Sequence, residues 1–254
     1  MDQGEPANAI GRRLAVRPWA AYAHAAEQLG RMSRDGELEL KIRSGEHIAA
    51  ITLAAQFAPE LPSASDRSGG IDLGFGAPLH TVAEIKSIGT RWRRLEATMT
   101  LGGSFDLQIR SWVDFVGEVA NAANVAAAQL ARKIAFDTEP APVRHVVVVA
   151  FVADVAAVEA LAENPLVPEL PALSCDAVDF VWAALVPGIL QSWDGAERQW
   201  TTHFMGGRDD SDLVKPIDFH ELERTFLEAA GIPTSESPFF DLVEFFLHGN
   251  QTAE

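Results

Sequence analysis

The chain has 254 residues, is 48% hydrophobic and carries a formal net charge of −16. This length and apolar content can bury a sizeable core, in one large domain or a domain with an appendage. The charge argues against a generic nucleic-acid-coating protein, and the single Cys175 excludes an internal disulfide framework and a cysteine-rich zinc site.

The first eight residues are polar and acidic and lack the apolar stretch of a secretory signal. Residues 17–32 predict a helix, because Trp19, Ala20, Ala23, Ala26 and Leu29 recur at three- and four-residue spacing. Leu38, Leu40 and Ile42 alternate with charged residues, which predicts a short strand over 37–43. Ser44 is placed to cap a second helix reaching Phe57, with Ile48, Ile51 and Ala55 inward. The composition of 63–70 reads as a loop. Short strands follow near 71–75 and 81–88, and a hairpin across Gly102-Gly103 is expected from 95–101 and 105–109. The alanine-rich stretch 113–136 is the strongest helix, and Pro140 and Pro142 end it.

Residues 144–153 and 178–186 read as buried strands, with a short helix over 155–163 between them. Residues 187–217 read as loop and turn, and helices are expected over 219–230 and 238–248. No run of about 18 uncharged apolar residues marks a membrane span. The series predicts an α/β fold with a mixed central sheet flanked by helices. Its expected parts are an N-terminal helix and strand (1–43), a core (44–153) and an acidic C-terminal extension (154–254) that can pack on the same domain. The expected location is cytoplasmic.

The charge is unevenly distributed. Residues 1–85 carry 8 basic and 11 acidic side chains, residues 86–144 carry 8 and 6, and residues 145–254 carry 4 and 19. Only the middle segment is basic. It holds Arg91, Arg93 and Arg94 around Trp92, which either face phosphate or lie in a solvated turn.

Asp72 opens one short apolar segment, and Glu84-Ile85-Lys86 lies inside the next. In a strand, residues i and i+2 point to one face. Glu84 and Lys86 therefore project together, with Ala83 and Ile85 turned into the core, and pairing of the two segments brings in Asp72. Two carboxylates and an ammonium at one strand edge suit a hard divalent metal and a water nucleophile. An exposed hairpin with three solvated polar residues fits the same letters.

The spacing Asp72…Glu84-x-Lys86 resembles the PD-(D/E)xK, restriction-endonuclease-like phosphodiesterase superfamily over residues 44–152. Ile71 stands where that motif usually has proline. The resemblance implies an αβββαβ core and a Mg²⁺- or Mn²⁺-dependent nuclease acting on DNA. Asp72 and Glu84 would bind metal with the backbone carbonyl of Ile85, and Lys86 would position the attacking water. Glu46 on the preceding helix is an added metal ligand in several branches; here a first-turn acid favoured by the helix dipole fits as well. The Gln-x-x-x-Tyr signature of the exonuclease-like branches is missing, since Gln129 has no tyrosine partner and Tyr22 is the only tyrosine. The alternative is an inactive nuclease-fold assembly module, whose acidic C-terminal part contacts a basic protein partner. A homodimer is a further partner expectation.

Overall fold

Val146, Val147, Val148 and Val149 are all fully buried. A strand buried on both faces reads as a continuous apolar run, and it needs layers above and below. The computed structural model describes residues 13–57, 61–65, 70–77, 79–88, 112–133, 141–151, 170–174, 178–186, 188–206 and 215–237. Within them the valine run is the centre of β5 (Val143–Phe151) in an eight-stranded mixed sheet.

The other strands are β1 (Arg13–Pro18), β2 (Pro62–Ser65), β3 (Leu73–Phe75), β4 (Thr81–Ile88), β6 (Phe180–Val186), β7 (Ile189–Asp194) and β8 (Gln199–Gly206). The spatial order is β1-β8-β7-β6-β5-β4-β3-β2. Strands β4, β5 and β6 run parallel, as do β1 and β8; the remaining neighbours are antiparallel.

The described residues hold four α-helices: α1 (Trp19–Arg34), α2 (Glu46–Phe57), α3 (Trp112–Lys133) and α4 (Phe219–Ala230). Helices α1, α2 and α4 share one core with Ala83, Ile85, Val147 and Val149. Helix α3 covers the other face, where Val119, Ala123, Ala126 and Leu130 meet Val82, Val146 and Val148. The chain is thus mixed α/β, with helices on both faces of one sheet. A Cβ on Gly30 of α1 would lie 2.4 Å from the Phe226 carbonyl of α4, so only glycine permits this helix approach.

Several sequence expectations are corrected. Helix α1 starts at Trp19, and residues 13–18 form a strand, because Pro18 holds Arg17 extended. Residues 37–41 form no strand: Leu38 and Leu40 are buried, so alternation buries them without a ladder, and a 3₁₀ turn follows at Ile42–Ser44. Ser44 is not the cap of α2. Its Oγ bonds back to the Lys41 carbonyl at 2.9 Å, Gly45 turns the chain at φ 74°, and α2 begins at Glu46. The loop read over 63–70 contains most of β2, a proline-led edge strand. The loop read over 187–217 contains β7 and β8, a hairpin. The expected hairpin at 95–109 and the helices at 155–163 and 238–248 lie outside the described residues, as do Arg91, Arg93 and Arg94.

Polar inward positions hid the β7–β8 hairpin. Ser192, Thr202 and His203 are buried, and the Ser192 hydroxyl meets His203 Nε2 at 2.8 Å. On β5 and β6, His145 Nδ1 accepts from the Trp182 indole at 3.0 Å. Burial pushes both histidines down to about 4; the Arg17 charge adds to this at His203, and Asp179 opposes it at His145. Between pH 6.5 and 4 the unfolded chain therefore binds more protons than the folded one. Their contribution is fully present above pH 6.5 and is lost as pH falls toward 4. Each histidine contributes on the order of 3 kcal/mol. The urea midpoint should hold steady above pH 7 and drop steeply toward pH 4.5. His203→Gln should flatten that slope, and a wild-type midpoint unchanged down to pH 4.5 would refute this account.

Candidate functional site

Strand β4 pairs with β3 antiparallel, Leu73 facing Ala83 and Gly74 facing Val82. Asp72 immediately precedes β3; its amide donates to the Ala83 carbonyl at 3.2 Å, and its carboxyl lies within electrostatic reach of Glu84. Ala83 and Ile85 turn to the α1–α2–α4 core, so Glu84 and Lys86 point to the α3 side.

The Ile85 amide donates to Asp72 Oδ2 at 2.6 Å. No hydrogen bond from the described residues claims Asp72 Oδ1. The Ile85 carbonyl points to the same edge as its amide, beyond the last β3–β4 residue pair.

Glu84 is only 1% exposed. An ionised carboxylate at that depth requires partners, and it has two. Lys86 Nζ donates to Oε1 at 3.1 Å, and Lys133 Nζ donates to Oε2 at 2.6 Å. Asp72 and Glu84 are thus not the solvated positions of an exposed hairpin. The Asp72 carboxyl sits above the usual carboxylate range. Burial is the main cause; the Ile85 amide opposes it, the Glu84 charge adds to it, Lys133 opposes it, and Glu46 adds to it.

Glu46 lies within electrostatic reach of Asp72 but serves its own helix start. Its Oε2 accepts from the Lys41 amide at 2.8 Å, and Oε1 lies 3.4 Å from Lys41 Nζ. Among the described residues no three of His, Cys, Asp and Glu gather as a metal-holding set, so Glu46 does not complete a trio with Asp72 and Glu84. His47 faces inward and meets Glu223 of α4 at 2.9 Å. His80 is exposed and contacts the Thr81 hydroxyl at 3.0 Å. The acidic run Asp209 to Asp212 lies outside the described residues.

Sequence reasoning missed Lys133. It sits 49 positions from its partner, in the last turn of α3. One signal was present: Lys133 follows Gln129 by four residues, the position where the Gln-x-x-x-Tyr signature has tyrosine.

No protein-family model matches the chain, and no curated protein or solved structure is significantly similar to it. No helix among the described residues is long and apolar enough to cross a membrane.

Asp72→Asn keeps an acceptor for the Ile85 amide and removes a charge that burial and Glu84 disfavour. Its melting temperature without added metal should exceed that of wild type at pH 7. Because the folded-state pKa is raised, the gap should narrow as pH falls and Asp72 takes up a proton. A lower melting temperature at pH 7 would mean that the ionised carboxylate supports the fold.

Proposed function

We propose that the chain is a divalent-metal-dependent phosphodiesterase acting on DNA. One observation carries the reading: the Asp72 carboxylate is held by the Ile85 amide within electrostatic reach of Glu84, and Lys86 is hydrogen-bonded to Glu84. Two further features support it. From α2 to β5 the described elements run helix, three strands, helix, strand, with β4 and β5 parallel across α3. The only basic segment of the sequence, 86–144, supplies both lysines at the site.

The donor set fits a hard cation. Mg²⁺ is commonly held by one or two carboxylates and keeps several waters. Asp72 Oδ1, Glu84 and the Ile85 carbonyl would hold Mg²⁺ or Mn²⁺. When bound, such an ion lowers the pKa of a water and polarises a phosphoryl oxygen. The Ile85 amide fixes the Asp72 carboxylate in place. Lys86, anchored on Glu84, positions the attacking water and offsets negative charge at the phosphate. The packed face under α3 limits the access of other water.

A second reading, an assembly module without catalysis, draws on the same contacts, since both Glu84 oxygens are held by lysines. Its partner would be a basic protein meeting the acidic residues 145–254.

Asp72→Ala and Lys86→Ala should each lower Mg²⁺-dependent DNA cleavage by on the order of 10²–10³-fold with the fold retained, as for removal of one preorganised electrostatic group. Metal at a hundred times its dissociation constant stabilises by about 2.7 kcal/mol, so Mn²⁺ should raise the wild-type melting temperature by roughly 5–10 °C in a domain of this size. Glu84→Gln should lose that shift. Equal cleavage by wild type and both alanine variants would sink the enzymatic reading. Absence of both cleavage and a metal shift in wild type would favour the assembly module.

A further inference from the structure

Glu84 is met by two ammonium groups, and only Lys86 belongs to the Glu-x-Lys pair. Lys86 lies two residues along the same strand, so its place beside Oε1 is fixed by β4. Lys133 arrives from another element. It is the last residue of α3, its side chain is 33% exposed, and it makes the shorter contact, 2.6 Å against 3.1 Å. It bonds Oε2, and its charge, unlike that of Lys86, is among those acting on the Asp72 carboxyl.

We propose that Lys133 is a positioning residue that holds Glu84 in the metal-free protein and yields Oε2 to the incoming divalent ion. Metal binding is then an exchange of one cation for another at a single carboxylate oxygen. This rests on the metal-dependent reading above. Three physical points support the exchange. Lys86 stays on Oε1 throughout, and the incoming ion replaces Lys133 on Oε2, so the buried Glu84 charge loses no compensation. An ammonium retained at 2.6 Å beside a divalent ion would add strong like-charge repulsion. The released side chain stays at the C-terminal end of α3, where the helix dipole favours positive charge.

The test uses the full chain and Mn²⁺ alone, without nucleic acid, and reads the Mn²⁺ dissociation constant by calorimetry and the metal-free melting temperature. Lys133→Met should lower the metal-free melting temperature and tighten Mn²⁺ binding by about tenfold or more, a small part of what a unit charge a few ångströms away is worth. Lys133→Gln keeps a hydrogen-bond donor for Glu84, so it should lose less thermal stability and show the same tightening; it also serves if the methionine variant does not fold. Lys133→Arg keeps the competing charge and should bind Mn²⁺ like wild type.

A lower melting temperature with an unchanged or weaker Mn²⁺ affinity in both neutral variants would make Lys133 a structural partner only and overturn the exchange. If wild type binds Mn²⁺, Glu84→Gln does not, and DNA is cleaved, the phosphodiesterase reading survives that outcome. No Mn²⁺ binding by wild type, Lys133→Met or Lys133→Gln would overturn the exchange and the metal-dependent reading together.

Discussion

The arrangement around β4 depends on one constraint, a carboxylate kept almost wholly out of water. Glu84 is 1% exposed in the interior of the sheet. A charge at that depth is tolerated only with compensating charge and hydrogen bonds. Lys86 follows at the one spacing that returns to the same face of a strand. Helix α3 has to be long enough for its final residue to reach Glu84, and β5, which follows it, lies parallel to β4. Asp72 joins the group from the position just before β3, with its Oδ2 fixed by a backbone amide.

The opposite face is organised by other buried polar pairs. His47 of α2 bonds Glu223 of α4, and the Ser237 hydroxyl donates to the second oxygen of the same carboxylate at 2.5 Å. Glu223 thereby ties α2, α4 and the short turn after α4 together. Further along the sheet, the Ser192 hydroxyl bonds His203 Nε2 across β7 and β8. Such groups are costly to bury singly and acceptable in pairs. These pairs differ from the Glu84 group in kind. Each couples a donor to an acceptor, whereas the Glu84 charge also acts on a second carboxyl, that of Asp72. Burial, with a further push from the Glu84 charge, raises the Asp72 carboxyl.

Charge is partitioned along the chain in the same sense. Residues 86–144 are the only basic segment of an acidic protein, and its two described lysines at the site, Lys86 and Lys133, converge on Glu84. Over longer distances the acidic remainder opposes approach of a polyanion, an effect that salt screens.

The sequence by itself determined whatever depends on local periodicity. The apolar stripes of α1, α2 and α4, the alanine-rich α3 and the valine run of β5 were legible because each repeats within a few residues. So was the pairing of Glu84 with Lys86 on one face, which needs only the two-residue repeat of a strand. Tertiary structure decided the rest. Strands β7 and β8 were hidden because Ser192, Thr202 and His203 hold buried positions, on both faces of the sheet, where apolar residues would have marked the strands, and their hydrogen bonds reach across to the neighbouring strand. Strands β1 and β2 are sheet edges, where half the backbone has no ladder to impose a pattern, and β1 pairs with β8 from the far end of the chain. Lys133 was missed for the same reason. A lysine at the end of a helix reads as an ordinary solvated residue until the packing of α3 on β4 brings it across 49 positions to a buried carboxylate.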